Sequence, residues 1–423
     1  MNAPAPEPGS ASPRLSGAST SPFSQHSFRF QWPSDLAVSW AFEMETLLLA
    51  WFVLVETGSV IWLTAFGALQ FVGTLISPLY GVAGDRLGQR RVLSFMRAAY
   101  VLQAACVAAL ALSDQLSVVA VFTVAFFMGL VRPSDIGVRN ALIAATMPAS
   151  LLAKAIGIER VSMDGARVVG ALTGAGIVAV LGMGQAYVMV AMLYFIGFAL
   201  TFGIRELSQD ARARMPASVA SIWRELGAGV AYASQTPALM AALFLACLAN
   251  FAAYPLTGGL LPHVAREVYQ IDQTGLGTLF ACFSGGAVLG SLLVSLRGVG
   301  PQPARVMVVS AALWFALLMV FAQVESVVIG MPLLMITGFL QSLCMVPMSL
   351  LILRITAAAF RGRVMGLRML AIYGLPVGLL LTGLGIANIG FAGTATFFAG
   401  FGLLATLAIA WHWRAALWRM PAT

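Results

Sequence analysis

The chain is long, apolar and weakly charged. It has 423 residues, of which 60% are hydrophobic and only 9% are charged, against about 25% charged residues in an average soluble protein. A soluble fold could not cover so many apolar side chains with so little polar surface. Uncharged runs of about 20 residues recur along the chain, as membrane-spanning helices require. Composition therefore predicts a polytopic membrane protein.

The net charge of +8 does not indicate a nucleic-acid partner. Twenty-three of the 24 basic residues are arginine, and they lie in links between apolar runs instead of on one amphipathic face. Cys106, Cys247, Cys282 and Cys344 lie inside apolar runs without pairing or metal-ligand spacing, which is typical of buried apolar residues. With only three scattered histidines, no metal site is predicted.

Residues 1–34 are rich in proline, serine and alanine and lack the apolar core of a signal peptide, which predicts a disordered cytoplasmic tail. Ser34 or Asp35 would then cap the first span. Twelve helical spans follow, each long enough to cross about 30 Å of hydrocarbon. Residues 414–423 form a second cytoplasmic tail. The predicted spans are 35–55, 61–80, 92–112, 116–138, 155–181, 185–204, 238–260, 274–296, 306–323, 327–350, 364–386 and 393–413.

The basic residues predict how the spans are oriented. With the N-terminus inside, the inner links hold 13 arginines, with Arg139 counted among them, together with Lys154. The outer links hold only Arg266. This asymmetry follows the positive-inside rule, so both termini are predicted to be cytoplasmic in a multi-pass protein of the inner membrane.

An internal repeat indicates two halves, 35–204 and 238–413. Gly170 and Gly374 are 204 positions apart in sequence, as are Gly174 and Gly378. A duplicated six-helix unit explains this register.

The link at 205–237 joins the two halves. It carries apolar residues at roughly helical spacing, namely Ile222, Trp223, Leu226, Val230 and Tyr232. An amphipathic helix on the cytoplasmic leaflet and a helix packed beneath the bundle are equally good interpretations.

Charge is concentrated in the link between spans two and three, "GVAGDRLGQRRVL". The pattern G-x-x-x-D-R-x-G-x-R-R in this link resembles the loop motif of the major facilitator superfamily, although Gln89 replaces an arginine. The resemblance implies an all-α fold of twelve helices in two pseudo-symmetric halves that work by alternating access. "LVETGS", "MPASLLAKA" and "FRGRVMGL" are similar to the secretion-effector branch that includes the enterobactin exporter. The motif residues are Gly81, Asp85, Arg86, Gly88, Arg90 and Arg91.

This motif has the chemistry of a gate. Asp85 can accept hydrogen bonds from backbone N–H groups at a helix N-terminus. The resemblance implies span eleven as the partner, near Arg363 and Gly366, when the cytoplasmic side is closed. The alternative is that these arginines only fix the topology.

Two glutamates lie within span one, where a charge is costly. Glu43 shares a stripe of small and polar residues, which would face a central cavity, whereas Glu45 lies on an apolar face. A carboxyl group in such surroundings can exchange a proton near neutral pH. Glu43 is therefore the first proton-coupling candidate and Glu45 the second. The alternative is a structural carboxylate paired with an arginine of another span.

Two further charged pairs are spaced three residues apart, which places each pair on one helix face. They are Arg132 with Asp135 in span four and Asp164 with Arg167 in span five. The resemblance makes Arg132 and Asp135 proton-coupling candidates, but structural pairing is the alternative.

Span five contains "GARVVGALTGAG", which resembles the glycine-rich motif of antiporters in Gly170, Gly174 and Gly176, with Ala171 where a proline is usual. Small residues at this spacing permit close helix packing.

The cavity is expected to be lined by residues of spans seven and ten. Aromatic and methionine side chains suit a large, partly lipophilic solute. The candidates are Asn250, Phe251, Tyr254, Gln341 and Met345.

The sequence thus predicts a secondary active transporter that exports a small organic molecule, siderophore-like or a lipophilic drug, against proton entry. Uptake, facilitated diffusion, and a non-transporting membrane receptor or assembly factor are the alternatives. No nucleophile–base set or ATP-binding motif is present in the sequence, so neither an enzyme nor a cofactor is expected. The expected partners are the solute, the proton and the lipid bilayer, with no nucleic acid, and the protein is expected to be a monomer.

Overall fold

The computed structural model describes residues 21–205, 219–300, 302–357 and 360–418, which are helical without a strand in these ranges. Most of the predicted tail and residues 206–218 of the link lie outside them. The side chains of Asp85, Ile222, Trp223 and Leu226 are also outside the described part.

The first half contains six spans. Span two is broken by a 3₁₀ segment, Val72–Ile76, and span four by the 3₁₀ turn Arg132–Ser134. The helices in chain order are His26–Thr57 (span one), Val60–Leu69 with Ser77–Leu87 (two), Gln89–Leu112 (three), Val118–Val131 with Asp135–Thr146 (four), Ala149–Leu181 (five) and Met183–Thr201 (six).

The second half repeats this arrangement. Span seven starts as the helix Pro237–Leu248 and continues through π-helical turns, and a bend at Gly390, with φ 74°, separates spans eleven and twelve. The predicted fold of twelve helices in two halves is confirmed. The segments are Pro237–Val268 (span seven), Gln273–Arg297 (eight), Pro303–Phe321 (nine), Val327–Ile355 (ten) and Arg361–His412 (eleven and twelve).

Span one begins at His26, so the predicted start at residue 35 is wrong. Pro33 lies inside the helix, and Asp35 is buried instead of capping a helix end. Phe28 is fully buried, and Trp32 donates a hydrogen bond to Ser162 Oγ at 2.8 Å. These tertiary contacts compensate for the backbone hydrogen bond that a proline removes from a helix.

The glycine repeat has the same packing role in both halves. A Cβ added at Gly170 would lie 2.8 Å from Glu43 Cβ of span one. A Cβ added at Gly374 would lie 2.8 Å from the Cys247 carbonyl of span seven. Close approach of spans five and one is thus repeated by spans eleven and seven, as pseudo-symmetry requires.

The two halves meet on the side of the bundle opposite residues 21 and 418, here called the loop side. There Gly277 of span eight packs against Ala171 and Ala175 of span five, and Gly383 of span eleven packs against Thr64 of span two. Arg266 Nη1 donates to the Leu54 carbonyl at 2.5 Å.

The opposite side, which carries the described chain ends, is here called the terminal side. A Cβ added at Gly81 or Gly362 would meet no described atom within 4 Å. Arg160, towards the terminal side of span five, has a side chain that is 54% exposed. The cleft between the halves therefore opens to the terminal side.

The described part of the link is a helix, Val219–Ser234, which packs against span eleven. The ring of Tyr232 stacks on that of Phe360 with centroids 4.4 Å apart, and its hydroxyl accepts from the Ala357 N–H at 3.0 Å. These contacts favour the interpretation that the link helix packs beneath the bundle.

Candidate transport site

A cluster of five charged side chains lies inside the first half, and it is here called the buried cluster. Its members are Asp35, Arg97, Asp135, Arg139 and Glu159. Asp35 and Arg97 are both fully buried and form a direct ion pair. Arg139 lies 2.5 Å from Asp135, 3.6 Å from Asp35 and 3.7 Å from Glu159.

Four spans supply these residues, because the helices of the first half converge around the start of span one. Span one contributes Asp35, span three Arg97, span four Asp135 and Arg139, and span five Glu159. Arg139 was assigned to an inner link, which is wrong. Its helix continues past residue 138 to Thr146 and the residue is only 4% exposed.

Glu45 forms a second charged group. It is 1% exposed, lies 3.5 Å from Arg132, and accepts hydrogen bonds from the Tyr194 hydroxyl at 2.7 Å and from Gln103 at 3.2 Å. Glu45 shares its face of span one with apolar residues, as predicted, but spans three, four and six bring polar groups to it. Arg132 also donates to Gln70 Oε1 at 2.8 Å.

Arg132 and Asp135 do not pair with each other, although their spacing predicts it. Each has its partner elsewhere: Asp135 with Arg139, one helical turn on, and Arg132 with Glu45 of span one. The 3₁₀ turn Arg132–Ser134 changes the helical register between the two residues.

The third group lies on the wall of the cleft. Arg167 Nε is 3.2 Å from Glu43 Oε1, and its Nη1 is 3.6 Å from Asp164, which also pairs with Arg160 at 3.4 Å. Arg167 is 39% exposed and Glu43 22%, so this pair is accessible from the cleft. The structure therefore brings Asp164 and Arg167 together as predicted by their spacing, and adds Glu43.

The second half faces this wall with polar groups of its own. Gln341 Nε2 donates to the Tyr254 hydroxyl at 2.7 Å, which joins spans ten and seven. Tyr254 interacts electrostatically with Arg167, and Arg368 of span eleven interacts with Arg160 across the cleft. Guanidinium groups from both halves thus share one cleft.

The other cavity candidates differ in their surroundings. Asn250 donates to the Ala246 carbonyl of its own helix at 2.9 Å. Phe251 packs against Phe398 with centroids 5.5 Å apart, and Met345 is packed against the hydrophobic core. These three side chains have structural contacts, whereas Tyr254 and Gln341 interact with each other near the opposite half.

Parts of the loop motif contact their own half. Arg90 donates to the carbonyls of Thr201 and Phe202 at 3.1 and 3.0 Å, which stabilises the C-terminal end of span six. Gly88, with φ 91°, permits the sharp turn into span three, while Gly81, Arg86 and Arg91 are exposed. A gating role of the motif stays a prediction.

The glycine motif of span five divides between two surroundings. Gly170 and Gly174 pack against span one, and a Cβ added at Gly174 would lie 3.3 Å from Met44 Cα. A Cβ added at Gly176 would meet no described atom within 4 Å.

Sequence reasoning missed Arg97, Glu159, Tyr194 and Arg368. One signal was available: Arg97 and Glu159 each lie inside a predicted span, where a charge needs a partner. Nothing in the linear sequence indicates that Tyr194 reaches Glu45.

Two pseudo-symmetric six-helix halves around a cleft with charged walls define a membrane transporter fold. The chain belongs to the Major Facilitator Superfamily, whose profile matches residues 37–376. Membership defines a multi-pass transporter and not an enzyme. Assignment to the enterobactin-exporter branch stays a prediction.

Solved structures share the fold. An auto-inhibited POT family peptide transporter aligns with a TM-score of 0.71 at 15% identity, covering 94% of this chain and 98% of that one. The nucleoside transporter NupG aligns at 0.64 and 14% identity, covering 90% and 98%. A bacterial homologue of the human lysosomal transporter Spinster, in an inward-facing and unoccupied conformation, aligns at 0.64 and 14%, covering 93% and 96%. No curated protein sequence matches the chain significantly.

Proposed function

We propose that the protein is a proton-coupled exporter of a small organic molecule in the inner membrane, with both termini cytoplasmic. The observation that carries this proposal is the Glu43–Arg167 pair, which joins spans one and five on the cleft wall at 3.2 Å and remains partly exposed. A carboxylate held by an arginine at the solute site can exchange its partner for a proton or for a solute group.

The charges of the cleft favour one of the two predicted solute types. Among the described charged groups of the cleft, three guanidinium groups against two carboxylates give an excess of positive charge. An organic solute with an anionic group, as in a siderophore-like molecule, matches this excess better than an uncharged lipophilic drug. The guanidiniums are those of Arg160, Arg167 and Arg368, and the carboxylates are those of Glu43 and Asp164.

Alternating access would follow from rocking of the two halves about their loop-side contacts. The cleft is open to the terminal side here, and Gly81 and Gly362 have open space around them. Closure of that side would bring the loop motif towards span eleven, where Asp85 would accept backbone N–H groups.

The first test compares small molecules inside cells and in the medium by untargeted mass spectrometry at matched expression. The variants are Asp85→Asn and Arg368→Gln, with Glu267→Gln as the control, since Glu267 is 50% exposed beside Arg266. Export predicts anionic compounds that leave cells only with the wild type and the control. Profiles identical to those of cells without the protein would support the receptor or assembly-factor alternative, and accumulation inside the cells would support uptake.

The coupling proposal has its own test. Glu43→Gln removes the proton-binding group but keeps its shape, so concentrative transport should be abolished while solute exchange is partly retained. Accumulation at the wild-type level in this variant would contradict the assignment of Glu43.

A further inference from the structure

The buried cluster contains one more carboxyl group than guanidinium groups. Within the described part of the chain, Asp35, Asp135 and Glu159 face only Arg97 and Arg139. None of the five residues is more than 8% exposed. An uncompensated charge with so little access to water is strongly disfavoured, so the cluster needs one more positive charge or one bound proton.

The two neighbouring charged groups that the structure describes do not supply that charge, because each is balanced within itself. The second group has one carboxylate and one guanidinium, and the group on the cleft wall has two of each. These sets are Glu45 with Arg132, and Glu43 and Asp164 with Arg160 and Arg167.

Hydrogen bonding in the cluster is incomplete, for Arg97 Nε as well as for the carboxyl groups, and leaves acceptors to which one more proton would fit. One oxygen of each carboxyl group is buried and has no hydrogen-bond partner among the described residues: Asp35 Oδ2, Asp135 Oδ1 and Glu159 Oε2. Ionised carboxylates can only accept hydrogen bonds, whereas a protonated carboxyl group also donates one. A proton on one of the three would turn one unpaired acceptor into a donor.

Glu159 is the member whose anion has the weakest support. Asp35 is in direct contact with Arg97, and Asp135 lies 2.5 Å from Arg139, whereas the nearest guanidinium to Glu159 is 3.7 Å away. We infer that Glu159 is a proton-binding site, neutral in this conformation, that takes up and releases a proton during the transport cycle. This inference rests on the proposed proton coupling and names a second protonatable group besides Glu43.

The groups that face Glu159 come from three neighbouring spans. They are Asp35 of span one, Arg97 of span three, and Asp135 and Arg139 of span four. Tyr100 of span three interacts with the same Asp135, Arg139 and Arg97. On its own helix, Arg160 and Asp164 pair with each other beside the cleft.

An apolar layer separates the cluster from the terminal side. Each residue of this layer lies nearer to the terminal side than the cluster residue of the same helix. A proton on Glu159 is therefore shielded from water on that side until spans one, four and five move relative to one another. The layer consists of Phe28, Ile143, Met147, Leu151 and Ala155.

Infrared spectroscopy of the full chain in lipid nanodiscs tests the inference without a solute. A protonated carboxyl group has a C=O stretching band that an ionised one lacks. In protein whose glutamates carry ¹³C at the side-chain carboxyl, the band at neutral pH should shift, and in protein with ¹³C-labelled aspartates it should not. A shift with labelled aspartate only, or no such band, would overturn the inference.

Variants assign the band to one residue. Glu159→Gln should abolish the shifting band, whereas Glu45→Gln, which changes a balanced pair, should leave it. Loss of the band in Glu45→Gln with retention in Glu159→Gln would overturn the assignment. If Glu159→Gln does not fold, the isotope shift and the pH dependence of wild-type unfolding still decide the question. The free energy of unfolding should fall as the pH rises, because the folded state holds a proton that the unfolded state has already released.

Failure of this inference and failure of the proposed function are distinguishable. A glutamic-acid band together with no transported compound would reject the exporter and keep the proton site. Proton-driven export together with an ionised Glu159 would keep the exporter and reject the site.

Discussion

Arg97 is the residue at which the account of the buried cluster predicts the largest loss of stability. The Arg97→Met variant replaces arginine by another long, unbranched side chain that is apolar. It thereby removes the charge that contacts Asp35 and Ser34. Asp35 would retain only Arg139, at 3.6 Å. Removing one partner of a fully buried ion pair costs about 3–5 kcal/mol. For a unit of the size of one six-helix half, each kcal/mol of lost stability lowers the unfolding temperature by about 2–4 °C. The apparent unfolding temperature of Arg97→Met should therefore fall by roughly 6–20 °C.

Thermal unfolding in detergent, followed by size-exclusion chromatography, measures this effect. The control is Arg160→Met, the same exchange at a side chain that is 54% exposed, which should cost no more than about 1 kcal/mol. Asp35→Asn should cost less than Arg97→Met, because the two guanidinium groups that remain are balanced by Asp135 and Glu159 once Glu159 is ionised. The double variant should lose less than the sum of the single variants. Equal unfolding temperatures for Arg97→Met and Arg160→Met would refute the reasoning.

Two further predictions concern matched pairs of variants, each measured by thermal unfolding. Tyr194→Phe should lower the free energy of unfolding by about 1–3 kcal/mol, because Glu45 loses a charged hydrogen bond of 2.7 Å. Tyr187→Phe should change the free energy of unfolding little, since no described group forms a hydrogen bond with the Tyr187 hydroxyl. Equal losses would contradict the role of Tyr194. Gly170→Ala should cost about 1–3 kcal/mol through overpacking against Glu43, while Gly176→Ala, with open space, should be neutral or stabilising. Equal tolerance would show that spans one and five are less closely packed than described.

The spans and the two halves could be predicted because hydrophobic length is a local property of the sequence. The offset of 204 residues between Gly170 and Gly374 also has a structural counterpart, since both glycines permit close helix packing. Local patterns were insufficient at the start of span one. There the burial of Phe28 and the hydrogen bond of Trp32 to Ser162 extend the helix through Pro33.

The partners of the charged residues could not be read from the sequence. Glu45 shares a helix face with apolar residues, yet Arg132 and Tyr194 reach it from spans four and six. Such contacts depend on how each helix is rotated about its axis, which is set by packing across the half and not by residues nearby in sequence. Arg97 shows the same dependence, since its partner is 62 positions away.

Alternating access of the two halves is the central claim of the account. Double electron–electron resonance, which measures the distance between two spin labels, tests it most directly. Spin labels would be placed on a variant without the four native cysteines, at Gly81→Cys with Gly362→Cys on the terminal side and at Gln115→Cys with Gln323→Cys on the loop side. The account predicts two distances for each pair of labels. When the pH is raised, the shorter distance should gain population on one side and lose it on the other, and Glu159→Gln should reduce this response to pH. A single distance for both pairs, unchanged by pH and by that variant, would contradict it.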